Sequence, residues 1–216
     1  MNASEAERSY IPALGKRWLL PLYDPMLWLL GADSSKQPLI EQAQIGPGLR
    51  LLDIGCGTGS LAATIKKMNP GAEVVGIDPD PAALAVAERK AKRRGLAIKF
   101  DRGFADHMPY ADASFDRVFS SFMFHHLEAS EKAATLAEIR RVLKPGGSLH
   151  LLDFTRSHDA HGHGGSRIHR HGPLSERIEG RMTELMDQAG LAEASELKRS
   201  KNFFGPIGYY RAVNPA

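Results

Sequence analysis

The chain has 216 residues, 43% hydrophobic and 25% charged, enough for one α/β domain with a full core and short for two. Its 28 Lys and Arg against 25 Asp and Glu leave a net charge of +3, too mild to argue for a nucleic-acid partner. One cysteine, Cys56, excludes an intramolecular disulfide and fits a reducing compartment.

The first ten residues, MNASEAERSY, are polar and acidic and carry no signal-peptide pattern. The longest apolar stretch, Trp18 to Leu30, is broken by Pro21, Asp24 and Pro25 and falls short of a membrane span. The expectation is a cytoplasmic protein with no stable membrane insertion. The prolines allow only short helices here, packed on a sheet edge or set over a site, and Pro47-Gly48 punctuates the start of the core.

Leu51 to Ser60, LLDIGCGTGS, runs a short apolar strand into Gly55, Gly57 and Gly59, and the helical pattern SLAATIKKM follows at once. Strand, glycine turn and helix open a doubly wound α/β fold. Asp53 ends the strand, and Asp78 closes the next apolar run, EVVGID, nineteen residues after Gly59. An acidic residue at that point is placed to hold ribose hydroxyls. The spacing is GxGxG rather than the GxGxxG of dinucleotide sites, and a pyrophosphate at this turn would meet the repelling Asp53 carboxylate. Asp53 suits a ligand with positive charge and amine donors. S-adenosylmethionine (SAM) has an ammonium, a sulfonium, a ribose and no phosphate.

PDPAALAVAERKAKRRG predicts a helix stopped by Gly95, with Pro79 at its start and a solvated basic face at Arg89–Arg94. AIKF is a third strand, followed by the loop RGFADHMPY. SFDRVFSSFMFHHL carries strand four, and Ser120 to His126, Phe122 among them, should line the floor between cofactor and acceptor. His125 is assigned to the site as a polar contact or base, and His126 to structure. SEKAATLAEIRRVLKPGG predicts an amphipathic helix, with Leu136, Ile139, Val142 and Leu143 on one face, ending in a Pro-Gly-Gly turn; SLHLLDF is strand five.

Of nine histidines, six fall between His150 and His171. His158, His161 and His163 with Asp159 have metal-ligand chemistry, but no cysteine joins them and the glycines leave the run unorganised, so a loop without metal is expected. A last helix, capped by Ser175 and closed by Gly190, precedes two strands, AEASELKRSK and FFGPIGYYRAVNP. Phe203, Phe204, Tyr209 and Tyr210 read as packing, with Phe204 within reach of an acceptor pocket.

LLDIGCGTGS, VVGIDPDP, FADHMPYADASFDRVFSSFMFHHL and EIRRVLKPGGSLHLLDF resemble the successive motifs of class I SAM-dependent methyltransferases, closest to the type 11 group with its ubiquinone and menaquinone biosynthesis enzymes. The resemblance spans roughly residues 49 to 154. It implies a Rossmann-like, mostly parallel sheet with an antiparallel C-terminal strand, a helical lid over 1–48 and a SAM-binding domain over 49–216. It implies methyl transfer to a small molecule, leaving S-adenosyl-L-homocysteine (SAH). Asp53, Gly55, Cys56, Gly57 and Gly59 would take the methionyl half, with Cys56 a bystander in the turn rather than a nucleophile. Asp78 would take the ribose, Pro79, Gly103, Phe104 and Ala105 the adenine region, and Ser120 the floor. Tyr23 in the lid, Phe122 and His125 would face the acceptor. The family's adenine loop reads GDA, and here Phe104 stands in the aspartate's place, leaving the base to Asp106 or to backbone groups and the Phe104 ring. A quinone or lipid acceptor, motivated by the apolar N-terminal segment, and a SAM- or SAH-binding protein without transfer are the alternatives; the GxGxG spacing disfavours a nicotinamide oxidoreductase.

Overall fold

The computed structural model describes residues 35–155, 182–202 and 205–216. Tyr23 and most of the expected lid lie outside the described residues, as do His158, Asp159, His161, His163, Ser175, Phe203 and Phe204. In chain order the described elements are α1 (Lys36–Glu41), β1 (Arg50–Ile54), α2 (Ser60–Met68), β2 (Glu73–Asp78), α3 (Pro81–Arg93), β3 (Ile98–Arg102), β4 (Phe115–Ser121), α4 (Ala129–Val142), β5 (Leu143–Phe154), α5 (Met182–Gln188), β6 (Ala192–Asn202) and β7 (Gly205–Val213).

The strands form one sheet in the order β3-β2-β1-β4-β5-β7-β6. β1 to β5 are parallel, β7 runs antiparallel to β5, and β6 antiparallel to β7. This is the Rossmann-like sheet with antiparallel closure that the sequence predicts. A parallel sheet with helices on both faces needs strands that are apolar throughout. Leu51 and Leu52 accordingly point to opposite faces and are both fully buried. One core joins Leu52, Ile54, Val75, Ile77 and Leu151 to Leu136 and Ile139 of α4. The other joins Leu51, Val74 and Phe119 to Leu39 of α1 and Ile65 of α2. Each such side chain contributes about 1.5–3 kcal/mol on burial.

Strand order reverses between β1 and β4, and ligands of open α/β sheets bind beyond the carboxyl ends of the strands at such a reversal. The glycine turn after β1 and the segment after β4 both lie there.

Two local details differ from the expectation. The helix after β2 starts at Pro81 rather than Pro79, because Asp80 caps it by accepting the Ala82 N–H at 2.9 Å. The Lys144–Gly147 stretch is a bulge at the head of β5 rather than a turn before it. Phe115 pairs with Leu143 and Arg117 with Ser148, so the extra residues bow out of the ladder. Gly146, at φ +74°, donates its N–H to the Asn214 carbonyl at 2.9 Å, which staples the bulge to the chain after β7.

Candidate active site

The glycine turn is packed tightly at one glycine and not at another. A Cβ on Gly55 would lie 2.4 Å from Met123 Cγ, so Gly55 lets the segment after β4 rest on the turn. A Cβ on Gly57, at φ +52°, would meet nothing within 4 Å among the described residues. Gly57 is therefore a glycine for its backbone angle rather than for close packing. Its N–H donates to Asp78 Oδ2 at 2.8 Å, and the Asp80 N–H donates to Asp78 Oδ1 at 2.9 Å. From α3, Lys90 Nζ donates to the Thr58 carbonyl and to Ser60 Oγ, both at 2.8 Å, and pins the far side of the turn.

Asp53 is only 1% exposed. Its Oδ2 accepts the Ala62 N–H at 3.1 Å, while its Oδ1 has no hydrogen-bond partner among the described residues. Burial pushes the Asp53 carboxyl up to about 7; the Ala62 N–H and the charge of Lys36 oppose this, and Asp78 adds to it. Burial also raises Asp78, against the N–H groups of Asp80 and Gly57. Burial, with the charges of Asp53 and Asp78, raises the Cys56 thiol well above the ordinary range, so it stays neutral and is unsuited to nucleophilic work. Two carboxyls disfavoured in their charged form, one with an unpartnered oxygen, call for cationic and hydroxyl donors. An ammonium and a ribose diol supply them. A pyrophosphate would not.

Gly103 follows β3, and its N–H donates to the Asp78 carbonyl at 3.2 Å, which ties the start of the Phe104–Ala105 loop to the end of β2. Phe104 is half-buried and bridges to His107 in a short antiparallel turn. Asp106, inside that turn, is half-buried.

Near the end of β4, Ser120 is buried beside Ile54 and Leu151, on the face opposite Asp53, and its hydroxyl has no hydrogen-bond partner among the described residues. Phe122 sits at φ +55°, a conformation that costs a bulky residue roughly 1–3 kcal/mol, and its N–H is held by the Leu152 carbonyl at 2.8 Å. Its ring lies 5.1 Å from that of Phe154. His125, in a short 3-10 turn (Phe124–His126), meets Phe154 edge-on at 5.0 Å. His125 Nδ1 lies 2.7 Å from Asp153 Oδ1, and its backbone N–H donates to Asp153 Oδ2 at 3.1 Å.

Sequence reasoning missed two residues here. Asp153 is the penultimate residue of β5 in the run LLDF, and an acid near the carboxyl end of a buried parallel strand was the available signal. Lys36, 5% exposed on α1, acts electrostatically on Asp53 although 17 positions separate them in the sequence, and nothing local marks it.

Residues 51–147 match the methyltransferase domain family. Among curated proteins the chain is 42% identical to a demethylmenaquinone methyltransferase of Thermus thermophilus, over 63% of this chain and 62% of that protein. It is 39% identical to the ubiquinone/menaquinone biosynthesis C-methyltransferase UbiE of Bordetella avium, over 54% of this chain and 45% of that protein. By these matches the chain is similar to the class I SAM-dependent methyltransferases. It spans less than two thirds of the length of either relative.

Solved structures agree on the fold. A SAM-dependent methyltransferase from Aquifex aeolicus superposes with TM-score 0.69 at 20% identity, covering 92% of this chain and 98% of that one. The [4+2]-cyclase SpnF matches equally well, at TM-score 0.69 and 24% identity over 86% of this chain and 81% of that one. The shared fold therefore does not choose the reaction. In this chain the glycine turn, Asp53, Asp78 and Gly103–Ala105 converge at the ends of β1, β2 and β3, while Phe122 and His125 stand at the end of β4. Among the described residues no three His, Cys, Asp or Glu are grouped to hold a metal, and no helix is long and apolar enough to cross a membrane.

Proposed function

We propose that this protein transfers the methyl group of SAM to a small-molecule acceptor by in-line displacement. The observation that carries the reading is the buried Asp53 carboxylate near the end of β1, whose Oδ1 has no hydrogen-bond partner among the described residues. Asp53 takes the ammonium, with Gly55, Cys56, Gly57 and Gly59 forming the floor under the methionyl group. Asp78 takes the ribose, and Pro79, Gly103, Phe104 and Ala105 flank the adenine. When bound, SAM supplies a methyl carbon already activated by its sulfonium. The chain's task is to exclude water and orient the acceptor, and orientation alone is worth ~7–11 kcal/mol.

Phe122, His125 and Tyr23 of the expected lid face the acceptor, and Ser120 lies in the floor. The edge-on contact of His125 with Phe154, and the Phe122 ring beside it, favour a flat aromatic acceptor. The names of the Thermus and Bordetella relatives support a quinone-type ring within that class. The protein works in the cytoplasm, and its mild charge supports no nucleic-acid substrate.

The deciding experiment is a calorimetric titration of SAM, SAH and NAD into the protein and its Asp78→Ala variant. Micromolar binding of SAM and SAH, weakened at least tenfold in the variant, is expected from the loss of about 1.5–3 kcal/mol of hydrogen bonding. Binding of NAD in preference to SAH would overturn the reading. Turnover of 1,4-naphthohydroquinone against simple phenols and amines then separates the quinone reading from other acceptors.

A further inference from the structure

His125 stands over a buried polar group that no cofactor role absorbs. Asp153 is 3% exposed, and its two oxygens receive three contacts: the His125 ring, the His125 N–H and the Phe154 N–H at 2.7 Å. Lys132, on the inner face of α4, is also 3% exposed, and burial lowers its pKa against the charges of Asp153, Glu128 and Glu131. The hydroxyls of Ser120 and Thr135, on the elements that bound this layer, are buried without hydrogen-bond partners among the described residues. An apolar core would serve packing better in such a place. Removing the Asp153 carboxylate from water is costly unless hydrogen bonds such as these serve it.

A histidine whose Nδ1 is held by a carboxylate carries its proton on Nδ1 and offers Nε2 as the basic nitrogen. The side chain of His125 is 25% exposed, whereas that of Asp153 is 4% exposed, so the ring reaches the site while its partner does not. Met123, two residues earlier, packs on Gly55 and fixes this segment against the glycine turn.

We infer that Asp153 is a positioning residue for methyl transfer: it holds His125 in the tautomer whose Nε2 takes a proton from the acceptor. The inference rests on the reading of the site as one for methyl transfer. In the step it serves, the acceptor's proton moves to Nε2 and its bonding pair forms the new bond to the methyl carbon. The methyl–sulfur bond breaks with its electrons left on sulfur. The imidazolium that results is stabilised by Asp153 and returns its proton to water.

The test is the ring-nitrogen NMR spectrum of the full-length protein with SAH, assigned through His125→Gln, alongside turnover of 1,4-naphthohydroquinone. In the wild type His125 should carry its proton on Nδ1. In Asp153→Asn the amide donates to Nδ1 and the proton moves to Nε2, so kcat should fall about 100-fold or more while the Kd of SAH stays within threefold. If Asp153→Asn fails to fold, the tautomer of His125 in the wild type carries the test by itself. A wild-type proton on Nε2, or the same tautomer in Asp153→Asn, overturns the inference, as does Asp153→Asn turning over at the wild-type rate. Failure of the wild type to bind SAH instead overturns the methyl-transfer reading, and the tautomer still decides whether the dyad exists.

Discussion

Gly57 donates its backbone N–H to Asp78 across 21 residues of sequence, at 2.8 Å, so the glycine turn and the acid of the second strand form one hydrogen-bonded unit. Asp78 also accepts the Asp80 N–H, which leads into the cap of α3. One carboxylate thus shapes the turn and starts a helix before any ligand arrives.

Replacing Asp78 should therefore weaken the free protein as well as the complex. In Asp78→Asn one of the two N–H groups faces an amide donor and loses its acceptor, a penalty of about 1–3 kcal/mol. At roughly 2–4 °C per kcal/mol for a chain of this size, the melting temperature without ligand should drop by several degrees. An unchanged Tm would mean that the two backbone bonds add nothing to the fold.

Two glycines of the turn should fail in different ways. Gly55→Ala drives a methyl into Met123 as well as leaving a residue at φ +63°, so its main effect should be on stability. Gly57→Ala meets no atom of the described residues, and its φ of +52° costs only about 1–2 kcal/mol, but the methyl enters the space assigned to the ligand. Thermal unfolding should rank Gly55→Ala as the more damaged. Calorimetry with SAH should rank Gly57→Ala as the weaker binder, by tenfold or more. A reversed order in either measurement contradicts the assignment of that space.

The strands and the turn were legible because their causes are local. Buried parallel strands read as unbroken apolar runs, and Gly55 to Gly59 with Asp53 and Asp78 lie within one strand–helix–strand unit. Asp153 was not legible as a partner of His125, since 28 residues separate them and only the pairing of β4 with β5 brings them together. The left-handed backbone of Phe122 left no trace either, because sequence patterns favour glycine there and tertiary contacts impose the angle on phenylalanine. The Lys144–Gly147 bulge was misread as a plain turn because its staple, Asn214, comes from the end of the chain.

Asp53 makes ligand affinity and stability respond to pH in opposite senses. Its folded-state value of about 7 lies above the ordinary 3.8, so ionising it costs folding stability progressively between those two values, and the cost is constant above the higher one. Asp53→Asn should then be more stable than the wild type without ligand at pH 8, by on the order of 2–4 kcal/mol, and little different near pH 3.5. The ammonium of SAH prefers the ionised form. Wild-type affinity should rise as pH rises through about 7 and then level, with proton release on binding below that point. Calorimetry in two buffers of different ionisation enthalpy reads the released proton directly, and Asp53→Asn should release none.

Lys36 gives a sharper test of the same charge balance. Its positive charge lowers the Asp53 carboxyl, so Lys36→Met should move that titration upward from about 7. At pH 7 the variant then holds less ionised Asp53 than the wild type, and SAH should bind several-fold more weakly. Raising the pH to 8.5 should ionise Asp53 in both proteins and close most of the gap. Titrations at the two pH values separate this from a direct contact between Lys36 and the ligand's carboxylate, for which the loss would persist at the higher pH. A pH-independent deficit would place Lys36 against the ligand, and no deficit at either pH would mean that Lys36 does not govern the charge of Asp53.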